Sequence, residues 1–403
     1  MIARTINLYK KAYSGLNKKV WLLSVVMLIN RSGTMVLAFM TLYCNHLGYT
    51  LQQGGYVVAV YGLGSIVGAL SGGKISDRFG FYYVQFGALF LGGIMFIVLG
   101  QMNSYLSILV CTFILSMINE SFRPANATAI ALYSTPENRT QSFSLVRLSI
   151  NLGWGIGSAL GGLLAAINYK LLFWVDGFTN ISAAFMLIVI LPKITKQQQH
   201  KSTSDKSVTV ITDSPYRDKK FLYFLAIQIL FAVCFFQLFT NIPLFFKQVL
   251  HLSEFNIGLI LSANGVLIAV FEMVLVFKLE GKRPYLIFMC YGCILMALAF
   301  LVLNISFLTG ILVALVCMSL ITVAEMISMP FMNSFYIGRS SERTRGSYAG
   351  MYTMAWSFAQ VFGSGIGSLY AQNFGFLSLW FTVATICILA ATGFYLLQQK
   401  NWQ

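Results

Sequence analysis

Apolar residues in this chain come in runs of about twenty, the length a helix needs to cross a bilayer, and between the runs the sequence turns abruptly polar. The runs fall near 20–44, 53–72, 81–100, 105–132, 142–166 and 171–191, then near 221–246, 257–279, 284–304, 308–337, 346–370 and 374–397. Pro192 to Lys220 separates the two sets. It holds Gln197, Gln198, Gln199, Ser202, Ser204 and several lysines, and reads as a cytoplasmic linker. The pattern predicts an all-α polytopic membrane protein with twelve transmembrane helices. They form two six-helix bundles, residues 1–191 and 221–403, joined by the linker 192–220. Continuous apolar runs, rather than alternation, exclude a β-barrel.

The halves echo each other. Residues 120–158 hold Glu120, Pro124, Asn126, then Glu137-Asn138-Arg139-Thr140, Ser142-Phe143 and Gly155-Ile156-Gly157-Ser158. Residues 325–368 hold Glu325, Pro330, Asn333, then Glu342-Arg343-Thr344, Ser347-Tyr348 and Gly365-Ile366-Gly367-Ser368. A repeat of six helices with both termini on one side implies pseudo-symmetric bundles related by an axis along the membrane normal, with a substrate path between them.

Composition agrees: 58% of the 403 residues are hydrophobic and 10% charged, against roughly 25% charged in soluble proteins. The net charge of +15 is topological. Of the 27 Lys and Arg, Lys170 and Lys247 fall in the loops of one side and Arg31 and Arg123 well inside apolar runs; the rest lie in or near the opposite loops and the tails. Positive residues stay inside, which puts both termini in the cytoplasm of a bacterial inner membrane. The charge thus gives no reason to expect a nucleic-acid partner; membrane lipid is the expected one. Cys290 and Cys293 form a CxxC, but within a predicted span, where small buried residues are the simpler reading.

Gly72-Gly73-Lys74-Ile75-Ser76-Asp77-Arg78-Phe79-Gly80 joins two spans, and its charges must lie at the membrane–water interface. Gly153, Gly157 and Gly161 recur every four residues and give one helix a face that others approach closely. On these residues and the repeat, the chain resembles the major facilitator superfamily over nearly its whole length. Gly73 to Gly80 looks like that family's signature between helices 2 and 3, with Phe81 and Tyr82 in place of the usual basic residues. Gly153-Trp-Gly-Ile-Gly157-Ser158-Ala-Leu-Gly161-Gly162 is similar to the helix 5 motif GxxxGPxxGG of the drug:proton antiporter branch, with Ser158 where proline is usual. The resemblance implies the major facilitator fold. It also implies a gating role for Gly73, Asp77, Arg78, Gly80, Gly153, Gly157 and Gly161, with Glu137 and Arg139 as partners from the next cytoplasmic loop.

A charge at mid-bilayer costs at least ~2.5–3.5 kcal/mol on insertion scales, so intramembrane ionisable residues are seldom idle. Arg31, Glu120, Arg123, Glu272 and Glu325 stand inside the runs. Glu120 and Arg123, one turn apart, can pair. Glu325 has no basic residue nearby in its own helix, and leads Glu120 and Glu272 as a candidate proton carrier. Polar and aromatic residues at helical spacing suggest the substrate wall: Asn30, Arg31, Thr34 and Arg123; Arg147, Asn151 and Trp154; Gln237 and Asn241; Tyr352, Trp356 and Gln360.

The expected activity is proton-coupled secondary transport by alternating access, exporting an amphipathic organic compound or drug. Proton-coupled uptake of a peptide-like, anionic or zwitterionic solute is the alternative, and lipid flipping a lesser one. No P-loop provides for ATP, and His46, His200 and His251 have no metal-ligand spacing, so neither an enzyme nor a cofactor or metal site is expected. The expected partners are a small-molecule substrate, protons and lipid, and the expected state is a monomer.

Overall fold

The computed structural model describes residues 2–191, 214–305 and 309–400. Most of the expected linker, residues 192–213, lies outside them. Every regular element among the described residues is helical. In chain order these are α1 (Ile2–Tyr13), α2 (Lys18–Ser32), α3 (Val36–His46), α4 (Leu51–Phe79), α5 (Phe81–Leu99), α6 (Tyr105–Glu120), α7 (Phe122–Tyr133), α8 (Arg139–Ile167) and α9 (Lys170–Ile190). There follow α10 (Lys219–Phe236), α11 (Asn241–Gln248), α12 (Glu254–Leu279), α13 (Tyr285–Val302), α14 (Gly310–Arg339) and α15 (Arg345–Gln399). Ten helices among the described residues are long and apolar enough to cross a membrane, with α6–α7 and α10–α11 each counted as one. The protein is an all-helical, multi-pass membrane protein.

Small polar residues start the spans by satisfying free N–H groups at helix N-termini. Thr50 and Gln53 form a capping box on α4, Ser104 caps α6, Asp218 caps α10 and Ser253 caps α12.

Several expected spans are broken at polar or small residues inside their apolar runs. The first expected span, 20–44, divides into α2 and α3 around Gly33–Met35. The seventh, 221–246, passes through a short 3-10 turn, Gln237–Phe239, between α10 and α11. The fourth is interrupted at Ser121, between α6 and α7. There Pro124, without an N–H, cannot bond the carbonyl of Glu120. The last two expected spans form one 55-residue element, α15, which turns at Gly375 with φ 81° and ψ 162°. Only glycine adopts that conformation readily.

The helices assemble into two compact units. The first comprises Leu16–Pro215 with Arg339–Ser357. Within it α4 packs on α6, α5 on α9 and α2 on α8, around a core that includes Tyr43, Phe96, Leu99 and Phe173. The second comprises Met1–Gly15, Tyr216–Gly338 and Phe358–Gln403. Its core holds the fully buried Trp380, stacked on Phe300 at 5.7 Å and met edge-on by Phe245 at 5.4 Å. Helix α1 belongs to this unit, where the Tyr9 hydroxyl donates to the Val270 carbonyl of α12 at 3.0 Å.

Candidate functional site

In the first unit a small polar cavity opens beside the break in the first span. Asn30, Arg31, Tyr61, Glu120, Asp176 and Asn180 are among its lining residues. Arg31 lies in the last turn of α2, where the helix dipole favours a cation. Asn30 donates to the Asn180 side chain at 2.8 Å, and the Asn180 amide donates to the Asp176 carbonyl at 2.7 Å. Asp176 takes over the free end of α3. Both its oxygens accept from the Met35 N–H, at 3.1 and 3.0 Å, and Oδ2 accepts from the Val36 N–H at 2.8 Å. Glu120 faces Arg123, with Nε 2.9 Å from Oε2. That contact has the distance of an ion pair without hydrogen-bond alignment. Thr34 donates weakly to the Asn30 carbonyl at 3.5 Å, at the edge of the same cavity.

Arg147, Asn151 and Trp154 share a face of α8, but the structure treats them differently. Arg147 comes within electrostatic reach of the buried Tyr352, whose hydroxyl accepts from the Trp356 indole. Asn151 is half-buried and its Nδ2 has no hydrogen-bond partner among the described residues. Trp154 is 44% exposed. Gln360, one turn beyond Trp356, is exposed and falls in the second unit.

In the second unit Glu325 is 3% exposed. Asn264 of α12 donates to its Oε1 at 3.1 Å and to the Thr322 hydroxyl at 2.9 Å. Glu272 is also buried, and acts electrostatically on Tyr13 of α1. Burial pushes the Tyr13 phenol up, with Tyr9 and Glu272 adding to the effect. Gln237 and Asn241 are not open to a ligand as expected: both are buried and their amides are engaged within the unit. Gln237 donates to the carbonyls of Val233 and Gly363 at 3.0 and 3.1 Å, and Asn241 donates to Gln237 at 2.6 Å and accepts from Ser368 at 3.0 Å. They tie the broken seventh span to α15.

The Major Facilitator Superfamily model matches residues 20–364. This chain belongs to the major facilitator superfamily. Multidrug resistance protein 2 of Bacillus subtilis (strain 168) is 22% identical over 323 residues, 78% of this chain and 79% of that protein. The quinolone resistance protein NorA of Staphylococcus aureus (strain MRSA252) is 21% identical over 261 residues, 64% of this chain and 66% of its own length. Among solved structures, the human organic anion transporter MFSD10 (TETRAN) matches with a TM-score of 0.74 at 14% identity, over 93% of this chain and 98% of that one. The fold is that of the superfamily, and the protein is a membrane transporter of a small molecule rather than an enzyme.

In this major facilitator transporter the Gly73–Gly80 signature meets the N-terminus of α15. Asp77 accepts from the Gly346 N–H at 2.6 Å, the Ser347 N–H at 2.7 Å and the Ser347 hydroxyl. A carboxylate there complements the positive end of the helix. Its partners are therefore some 270 residues away, rather than Glu137 or Arg139 in the next loop. Glu137 is exposed; Arg139 is half-buried and near Arg345, which also lies within reach of Asp77 and Glu342. Arg78 lies over the Phe79 ring at 5.3 Å. A side chain on Gly73 would strike the Gly346 carbonyl, and Gly80 turns α4 into α5 with φ 94°. On α8, a Cβ at Gly153 would lie 2.6 Å from the Arg31 Cβ, one at Gly157 3.0 Å from the Ser32 carbonyl, and one at Gly161 3.0 Å from Phe39. The glycine stripe therefore seats α8 on the broken first span.

Asp176 is the cavity-lining acid that the sequence expectations miss. It is fully buried, and the signal that could have found it is an acid well inside the sixth apolar run, on a par with the other intramembrane charges.

Proposed function

We propose that this transporter works by alternating access and couples export of an amphipathic organic compound to inward proton flow, with Glu325 as the principal proton carrier. The observation that carries this is a carboxyl group 3% exposed in an apolar helix and bonded by the Asn264 amide. An amide can turn either its NH2 or its carbonyl to a carboxyl group, so it tolerates both protonation states. Glu120 and Glu272 are secondary carriers. Export is supported by relatives named for multidrug and quinolone resistance. Asn30, Arg31, Thr34 and Arg123 form one part of the substrate wall, and Arg147, Asn151, Trp154, Tyr352 and Trp356 another. Gly73, Asp77, Arg78, Gly80 and the α8 glycines serve gating, with Arg139 and Glu137 beside them. The protein works as a monomer in the bacterial inner membrane with both termini in the cytoplasm.

The test uses inside-out vesicles with an acidified lumen. Adding a fluoroquinolone should alkalinise the lumen in vesicles carrying the wild-type protein. Glu325→Gln, at equal protein level, should abolish that response. A wild-type protein that transports the drug with no lumenal pH change would rule out proton coupling.

A further inference from the structure

The charges around the first-unit cavity do not all match. Two carboxylates and two guanidinium groups lie at or beside it: Glu120 and Asp176, Arg31 and Arg123. Each carboxylate has its own partner, Glu120 the Arg123 guanidinium and Asp176 the amide end of α3. That leaves Arg31. Among the described residues it makes no ion pair, and its buried Nε donates to nothing. The groups within electrostatic reach are Arg123, which repels it, and Glu120 and Tyr61. The Tyr61 hydroxyl is itself engaged by the Asn119 side chain.

A guanidinium group removed from water carries a large desolvation penalty unless something answers its five donors. Helix packing would be served better by an apolar residue. The backbone around Arg31 is also fixed: Gly153 closes on its Cβ from α8, and α2 ends one residue later. Its side chain is therefore held at the cavity wall by packing, while its Nε has no acceptor among the described residues.

We propose that Arg31 is the anion-recognition point of the substrate site, so that the transported molecule carries a carboxylate or similar oxyanion. The planar fork of a guanidinium group matches two oxyanion oxygens. The cavity is small, so it takes the anionic group, and the apolar body of the substrate lies beyond it. This inference rests on the transport reading above and names its substrate class.

Matched dansyl probes test it on the purified full-length protein in phosphatidylcholine nanodiscs: dansylglycine (anion), its methyl ester (neutral) and dansylcadaverine (cation). Saturable fluorescence enhancement is expected with dansylglycine, at least about tenfold tighter than with the ester or the cation, which is what one charge-assisted hydrogen bond supplies. Arg31→Gln should remove that preference, and Arg31→Lys should keep part of it. If Arg31→Gln does not fold, judged by its melting curve, the lysine variant and the wild-type ester comparison decide. Equal binding of anion and ester by the wild type, tighter binding of the cation, or no saturable anion binding overturns the proposal. Loss of dansylglycine binding when phosphatidylglycerol is added to the nanodiscs would assign the site to a lipid phosphate and overturn it as a substrate contact. If the proposal fails while drug-driven proton movement in vesicles is intact, only the anion assignment falls.

Discussion

Asp176 and Glu325 are both buried acids in apolar helices, and their surroundings give them different work. Asp176 receives backbone N–H groups from Met35 and Val36. It therefore acts as a fixed cap that replaces the turn missing between α2 and α3. Asp176→Asn keeps the size but has one acceptor oxygen instead of two, so it should destabilise the protein by about 1–3 kcal/mol, measured by reversible unfolding in mixed detergent micelles. Glu325 meets an amide side chain instead and can change its charge without breaking a helix end. Glu120 and Glu325 correspond in the repeat, yet Glu120 faces Arg123 where Glu325 faces Asn264. Glu120 is the buried member of its pair, while the Arg123 side chain is 41% exposed, so it is Glu120 that loses its compensation when the pair is broken. Arg123→Gln should accordingly lower stability more than the double change Arg123→Gln with Glu120→Gln, and the same unfolding measurement reads the difference.

At the scale of elements, helix breaks and glycine contacts organise the molecule. Of the five glycines of α8, a Cβ would meet close neighbours at Gly153, Gly157 and Gly161, the stripe of four-residue spacing, and open space at Gly155 and Gly162. Gly153→Ala should therefore push α8 from α2 and reduce both melting temperature and drug efflux. Gly155→Ala should leave both unchanged. The junction of α4 with α15 depends on charge as well as space. Asp77→Asn keeps one acceptor for the Gly346 and Ser347 N–H groups but loses the charge that suits the helix end. Expression and melting should stay near normal while the efflux rate falls. A normal rate would remove Asp77 from the transport cycle.

At the scale of the whole molecule, the distribution of lysine and arginine sets the expected topology. Alkaline phosphatase fused after Lys170 should be active, and fused after Arg217 or Gln403 inactive; the reverse pattern would invert the protein in the membrane. The all-helical class and the position of most spans were legible from the apolar runs, because a bilayer demands about twenty apolar residues per crossing whatever the packing. The family was legible from Gly73–Gly80, the α8 glycines and the internal repeat, since close approach and tight turns admit few other residues. The breaks were not assigned from the sequence: Asn30-Arg31-Ser32-Gly33-Thr34 interrupts the first apolar run, but the hydropathy of a segment does not record where its backbone bonds go. Nor were the partners of the polar residues. Gln237 and Asn241 look like cavity residues by type, and only packing shows their amides engaged with Gly363 and Ser368. By itself the sequence determined which segments are long and apolar enough to cross a membrane, because that depends on composition along a short stretch. Only the tertiary structure decided which buried charges answer one another and which one, Arg31, is left facing the cavity, because that depends on contacts between residues far apart in the chain.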